Sequence, residues 1–206
     1  MVKLNLGCGD QCPDGWVNVD YSLGAKLAKL PVFSQLNKIF HIFNMEWDKK
    51  ILIHDLRKKF PWDDSSVDVI YSSHALEHFS KEDGRRFLGE CYRVLKPGGV
   101  LRIIVPDLNA LIVDYNKGAL MADDFVEAMG VGYEMPGDGR LKRLLGPFIR
   151  FPHKCMYDTS RLVAIFIECG FKAESMDRFQ SIILDVNTVE DESRTERAVI
   201  VEGVKC

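Results

Sequence analysis

Short apolar runs alternate along the chain with longer stretches in which apolar residues recur every three or four positions. Five runs read as strands: VKLNL (2–6), WVNVD (16–20), ILIHD (51–55), VDVIYSS (67–73) and VLRIIVPD (100–107). Several are apolar on both faces, which suits a parallel sheet covered on both sides. Between the fourth and fifth runs, SKEDGRRFLGECYRVL (80–95) has helical spacing, with Phe87, Leu88, Cys91, Val94 and Leu95 on one face. KPGG breaks it before the next strand. DTSRLVAIFIECGF (158–171) predicts a second helix, with Asp158 as N-cap and Gly170 as its stop. KAESMDRFQSIILDV (172–186) and RAVIVEGV (197–204) read as two strands joined by the acidic loop EDESRTER, an antiparallel hairpin that finishes the sheet. The pattern lapses between the fifth strand and residue 152. The expected fold is α/β: a doubly wound, mostly parallel seven-stranded sheet with an antiparallel final strand and an insertion after strand 5. Residues 1–206 are expected to form one domain, with the insertion at about 108–152 on the substrate side.

A 47 % apolar fraction describes a globular chain, and no run approaches the roughly 18 apolar residues of a spanning helix. The N-terminus enters a strand directly, so a signal peptide is not expected. A net charge of −3 argues against nucleic acid as partner, because phosphate contacts need a basic excess. The six cysteines form no CxxC pair, so neither a disulfide framework nor a metal site is expected from them, and a reduced, cytoplasmic protein is.

LNLGCGDQCPDGWVNVD (4–20) holds the most informative chemistry. Gly7 and Gly9 follow a strand, but the third glycine of a dinucleotide fingerprint is missing. Nine residues, 7–15, separate the first two strands and include Pro13 and Gly15. That leaves little more than a turn of helix, so the helix N-terminus that holds a diphosphate is absent. No Lys or Arg lies between Leu4 and Ala25, while Asp10, Asp14 and Asp20 do. Acids repel phosphate and suit ribose hydroxyls and a positively charged sulfonium, which points to S-adenosylmethionine.

These residues resemble the class I S-adenosylmethionine-dependent methyltransferases. LNLGCG is similar to the family's glycine motif, HDLRKKFPWDDSSVDVIYSSHALEHF (54–79) to its third-to-fourth-strand segment, and LGECYRVLKPGGVLRIIVPD (88–107) to its helix and fifth strand. HKCMYDTSRLVAIFIECGF (153–171) resembles the closing helix of a bacterial small-molecule subgroup tied to surface-polysaccharide loci. The resemblance implies that Gly7, Cys8 and Gly9 approach the methionine part and that Asp20, with Tyr21 beside it, grips the ribose. It implies that Asp55 and Leu56 hold the adenine edge, and that Ser73 and His74 line the sulfonium. Two departures stand out: Asn5 replaces the usual acid before the first glycine, and Gln11 the third glycine. Simpler roles stay open, with Asp20 as a strand cap, Asp55 as a cap of the LRKKF turn, and Glu77 and His78 at a helix start.

At the carboxyl edge of the sheet, Asp107 and His153 are candidate bases for the acceptor and Tyr157 a pocket residue. The alternative is that Asp107 caps the insertion and His153 packs against it. Two segments, 21–45 and 139–154, combine Lys and Arg with large apolar residues and contain no Asp or Glu. They suggest a basic, apolar rim for an anionic or lipid-linked small-molecule acceptor, and peripheral contact with a membrane surface. The expected activity is O-methylation of a small-molecule or saccharide-type acceptor. The competing readings are a non-catalytic S-adenosylmethionine-binding protein and, disfavoured by the short crossover, a nicotinamide-dependent reductase.

Overall fold

The computed structural model describes residues 1–30, 33, 47–133, 146 and 151–206. Seven strands form one sheet: β1 (Lys3–Leu6), β2 (Val17–Asp20), β3 (Leu52–Ile53), β4 (Val67–Ser73), β5 (Leu95–Pro106), β6 (Phe171–Ser175) and β7 (Ala198–Lys205). Their order is β3-β2-β1-β4-β5-β7-β6. The first five are parallel, and β7 runs antiparallel to both β5 and β6. All five predicted parallel strands are present, the third reduced to two paired residues. KPGG lies inside β5 and not before it. Its register jumps from Val67 opposite Leu95 to Val69 opposite Val100, so the four residues bulge out between.

Six helices accompany the sheet among the described residues: α1 (Leu23–Ala28), α2 (Lys81–Val94), α3 (Leu108–Asn116), α4 (Ala122–Ala128), α5 (Thr159–Glu168) and α6 (Glu192–Thr195). The two strongest sequence patterns became α2 and α5. Phe87, Leu88, Cys91 and Val94 of α2 and Leu162, Ile165 and Phe166 of α5 pack on one face of the sheet against Leu4, Leu6, Leu101 and Ile103. Burial of each large side chain contributes about 1.5–3 kcal/mol. Asp158 caps α5 by accepting from the Arg161 amide at 2.7 Å, and Gly170 ends it at φ +97°. None of the described helices is long and apolar enough to cross a membrane.

The second face departs from the sequence expectation. The predicted strand 172–186 pairs only as far as Ser175, and the chain then folds back over the sheet. Ile183, Val186 and Val189 cover Trp16, Val69, Tyr71, Val100, Ile104 and Ile200. EDESRTER is correspondingly no hairpin loop, because it contains α6 and a buried Glu190. Arg102 is the reason. On β5 it alternates with Leu101 and Ile103, so it points into the second face, where it is 0 % exposed. A guanidinium there must use all five donors. Nε and Nη2 donate to the two oxygens of Glu190 (2.6 and 3.0 Å), Nη1 to Glu202 (2.8 Å), and the remaining two to the carbonyls of Gln180 and Asp177 (2.9 and 3.1 Å). A regular strand through 176–186 could not bring those carbonyls over β5.

Arg102→Met should destabilise the fold by about 3–5 kcal/mol, because it leaves Glu190 and Glu202 buried without their cation. Urea denaturation checks the size. Limited proteolysis should show new cleavage at Arg178, because the covering segment loses its anchor.

Candidate active site

The site forms where the strand order reverses, between the carboxyl ends of β1 and β4. A cavity of about 310 Å³ opens there. The loop after β1 turns at Gly7 (φ +75°), whose amide donates with that of Cys8 to the Val19 carbonyl at 2.8 and 3.1 Å. A Cβ on Gly7 would lie 2.7 Å from the Cβ of Ala75, so only glycine lets the loop pass the turn after β4. The Gly9 amide donates to Oδ2 of Asp20 (2.9 Å) and the Ser22 amide to Oδ1 (2.6 Å). These bonds fix a carboxylate that is 8 % exposed. Each oxygen keeps acceptor capacity toward the cavity, which Asp20 and Tyr21 line. Lys26 stands over the Tyr21 ring. No helix bridges β1 and β2.

Of the expected cofactor residues, Gly7, Gly9, Asp20, Tyr21, Asp55, Leu56 and His74 border this cavity, and Asn5, Cys8 and Ser73 do not. Asn5 is buried and spends both amide hydrogens on Gln11 O (2.8 Å) and Asn18 Oδ1 (3.0 Å), so it braces the loop from below. Cys8 points into a small core with Ala25 and Ile51, where burial pushes its thiol up, and its Sγ lies 3.9 Å from that of Cys12. Ser73 is buried in the sheet. Asp55 borders the cavity but has a partner that the sequence reading did not assign. Arg57 Nε and Nη2 donate to its two oxygens at 2.9 and 2.8 Å, and the Arg57 amide adds a third bond at 3.1 Å. The loop carries no base of its own, yet Arg194 reaches the wall from the second-face segment, 3.7 Å from Asp10. Among the described residues, Asp20 is therefore a wall carboxylate held by amides and not by a cation.

Beyond β4 the chain turns sharply. His74 takes φ +52°, a strained choice for a residue with a Cβ. A 3-10 turn, Leu76–His78, follows, and Ser80 then caps α2 by accepting from the Asp83 amide at 3.1 Å. His74 Nε2 meets the Arg194 carbonyl at 2.8 Å and Nδ1 lies 3.3 Å from Glu77 Oε1. Burial lowers the His74 pKa, but the neighbouring Glu77 carboxylate outweighs that, so the ring titrates above its ordinary value.

The three residues expected at the acceptor end take other positions. Asp107 is the N-cap of α3 and accepts from the Asn109 amide at 2.8 Å. Tyr157 is a core residue whose hydroxyl burial pushes up, and its carbonyl accepts from the Leu108 amide (2.9 Å). A parallel bridge joins the two residues, and neither lines the cavity. His153 lies behind the wall, 5.0 Å from the His78 ring between centroids, with its pKa lowered by burial. His78, Phe79, Phe151, Lys154 and Trp47 line the cavity and were missing from the expected set. Most of the basic, apolar segments 21–45 and 139–154 lies outside the described residues.

Two predictions follow from this geometry. Gly7→Ala should lower stability by roughly 1–3 kcal/mol through its positive φ and its contact with Ala75. The double variant with Ala75→Gly should recover part of that loss in thermal denaturation, because the contact is relieved and the φ strain is not. For Asp55, the Arg57 hydrogen bonds outweigh burial and hold the carboxyl below its ordinary 3.8. Its contribution is therefore fully present above that value and is lost as pH falls through the lower folded value. Arg57 is half exposed, so Arg57→Ala should cost only about 0.5–1 kcal/mol at pH 7. Denaturation at pH 5, 4 and 3 should show that difference shrinking.

The methyltransferase-domain family matches residues 4–103 of the chain. A probable S-adenosylmethionine-dependent methyltransferase of Mycolicibacterium smegmatis is 39 % identical over 54 residues, 26 % of this chain. That stretch spans a fifth of the relative's length. Among solved structures, an S-adenosylmethionine-dependent methyltransferase of Methanosarcina mazei is similar over 98 % of this chain and 91 % of its own (TM-score 0.56, 17 % identity). The 1,6-didemethyltoxoflavin-N1-methyltransferase of Burkholderia thailandensis, solved with S-adenosylhomocysteine bound, is similar over 99 % of this chain and 70 % of its own (TM-score 0.50, 13 % identity). Residues 4–103 match the methyltransferase-domain family, and the chain as a whole has the fold of the class I S-adenosylmethionine-dependent methyltransferases.

Proposed function

We propose that this chain transfers the methyl group of S-adenosylmethionine to an oxygen of a small or saccharide-type acceptor. The observation that carries the cofactor reading is Asp20, a nearly buried carboxylate fixed by the Gly9 and Ser22 amides on the cavity wall. Its spare lone pairs suit a pair of ribose hydroxyls, and the lack of a crossover helix beside it disfavours a diphosphate. Gly7, Gly9, Tyr21 and Leu56 complete the surface on which a nucleoside and its methionine tail would rest. When bound, the cofactor supplies a methyl group on a sulfonium, a good leaving group. The protein then has to hold the acceptor oxygen at about 3–3.5 Å and keep water out.

A hydroxyl acceptor must also lose its proton. The imidazoles of His74 and His78 border that end of the cavity, which supports oxygen as the acceptor atom. Lys154 and Phe151, the latter 54 % exposed, stand on the same wall. They suit an acceptor with an anionic group, and a lipid-linked one would bring this rim to a membrane surface.

Thermal denaturation with S-adenosylmethionine, S-adenosylhomocysteine, NAD and NADP tests the cofactor. A ligand at a hundred times its Kd adds about 2.7 kcal/mol, a rise of roughly 5–10 °C for a chain of this size. Only the two adenosyl sulfur compounds should give it. Asp20→Ala should weaken their binding by at least about tenfold, since hydrogen bonds to a charged group are worth about 1.5–3 kcal/mol. A shift with the dinucleotides alone would overturn the reading. Mass spectrometry of hydroxylated acceptors incubated with the cofactor then tests for transfer to oxygen, and Lys154→Ala should raise KM for anionic acceptors.

A further inference from the structure

Next to the cofactor wall lies a carboxylate without a hydrogen bond. Glu77, on the 3-10 turn after β4, is 0 % exposed, and neither side-chain oxygen has a hydrogen-bond partner among the described residues. Buried polar groups are almost always hydrogen-bonded, and the charge compensation Glu77 has among the described residues comes from imidazoles alone. Imidazoles surround it. His74 Nδ1 is 3.3 Å from Oε1 and His153 Nε2 is 4.0 Å from the same oxygen. The Nδ1 atoms of His78 and His153 are buried and unpartnered as well. One ligand atom from each of Glu77, His78 and His153 can be chosen so that all three lie within 4.8 Å of one another.

We propose that Glu77, His78 and His153 bind a divalent cation of the zinc class beside the acceptor end of the cavity. Two imidazoles and one carboxylate are donors that Zn²⁺, Co²⁺ and their neighbours accept, whereas Mg²⁺ and Ca²⁺ prefer oxygen alone. Bonds of about 2.0–2.1 Å to a four-coordinate zinc put donors roughly 3.4 Å apart. The present atoms lie within 4.8 Å of one another, so binding would draw them together by side-chain rotation. The backbone already holds the two halves of the shell together: the amides of Lys154 and Cys155 donate to the Glu77 carbonyl at 2.8 and 3.1 Å.

Behind the shell, Gly130 fits the site by its lack of a side chain. Its carbonyl accepts from the His153 amide at 2.9 Å, and a Cβ there would lie 2.8 Å from the imidazole. His74, tied to the Arg194 carbonyl, orients Glu77 from the other side, the part outer partners play around metal ligands. His78 borders the cavity, so open coordination positions lie on the cavity side. A hydroxyl that coordinates there becomes more acidic, which is how the cation would serve the O-methylation proposed above. The binding site itself does not depend on that reading.

Cobalt titration of chelator-stripped protein tests the site, with visible absorption of Co²⁺ as the signal and zinc as the competitor. One ion should bind per chain, and zinc should displace it. Glu77→Gln and His153→Gln should each weaken binding by more than the roughly 10–100-fold that loss of an outer-shell partner costs. Circular dichroism of the metal-free variants checks that they fold. If Glu77→Gln does not fold, His153→Gln, at a half-buried position, decides. No stoichiometric cobalt or zinc on the wild-type chain, or equal affinity in the folded variants, overturns the proposal. Neither readout involves methyl transfer, so failure here leaves the cofactor reading standing, and failure of that reading leaves this one.

Discussion

The guanidinium of Arg102 sets what the second face of this protein can be. A cation placed at the centre of an apolar sheet has to find an acceptor for every donor, and five are a demanding number. Two glutamates and two carbonyls meet it, and both carbonyls and Glu190 come from the segment between β6 and β7. That requirement explains why the chain leaves the sheet at Ser175, packs Ile183, Val186 and Val189 across it, and returns only at Ala198. The consequence reaches the site. Asp191 and Arg194 lie just beyond the anchored Glu190. From there Asp191 accepts from Gln11 in the glycine loop (2.8 Å), and Arg194 meets His74 and the cavity wall.

Glu77 shows the opposite treatment of a buried charge. Glu190 accepts from Arg102 twice and from the Phe179 amide, so its lone pairs are committed and the group is structural. Glu77 is as deeply buried and has imidazoles near it, but no donor in hydrogen-bond geometry among the described residues. The backbone of the same residue is firmly held: the Glu77 carbonyl receives two amides from the chain returning at 154–155. A saturated buried ion holds a fold together. An unsaturated one, beside a cavity, is a group held ready for something that arrives later.

What could be read from the sequence was what local spacing determines. The strands and helices α2 and α5 followed from periodicity, and Asp158 and Gly170 behave as caps because a cap involves residues three or four apart. Gly7, Gly9 and Asp20 come together for the same reason: loop and carboxylate lie within 14 residues of chain, 7–20, and meet through backbone amides. The failures share the reverse property. Glu190 is 88 residues from Arg102, so nothing near the apparent strand 172–186 betrayed that it would break. One signal was available: an arginine inside the apolar run VLRIIVPD, which must have a buried partner. Asp107 takes the capping role that the sequence left open as the alternative to a base, and Tyr157 packs in the core. His78 was assigned to a helix start, and its neighbour His153 follows 75 residues later.

This contrast divides the site into two halves with different origins. The wall around Asp20 and Asp55 is made by short stretches of chain: residues 5–22 and 55–57 are each held internally by hydrogen bonds between near neighbours, with Gln11 and Asp10 also meeting Asp191 and Arg194. The acceptor half is assembled from the turn at 74–79, Phe151 to Lys154, and Arg194, which meet only in three dimensions. Its members hang from three separate anchors: the strained His74, the Glu77 carbonyl and the Arg102 network. Substitutions in the segments between those anchors can reshape the acceptor end without touching Gly7 or Asp20. The far end of the cavity depends on contacts between distant segments, so it is the part least written in any single stretch of sequence.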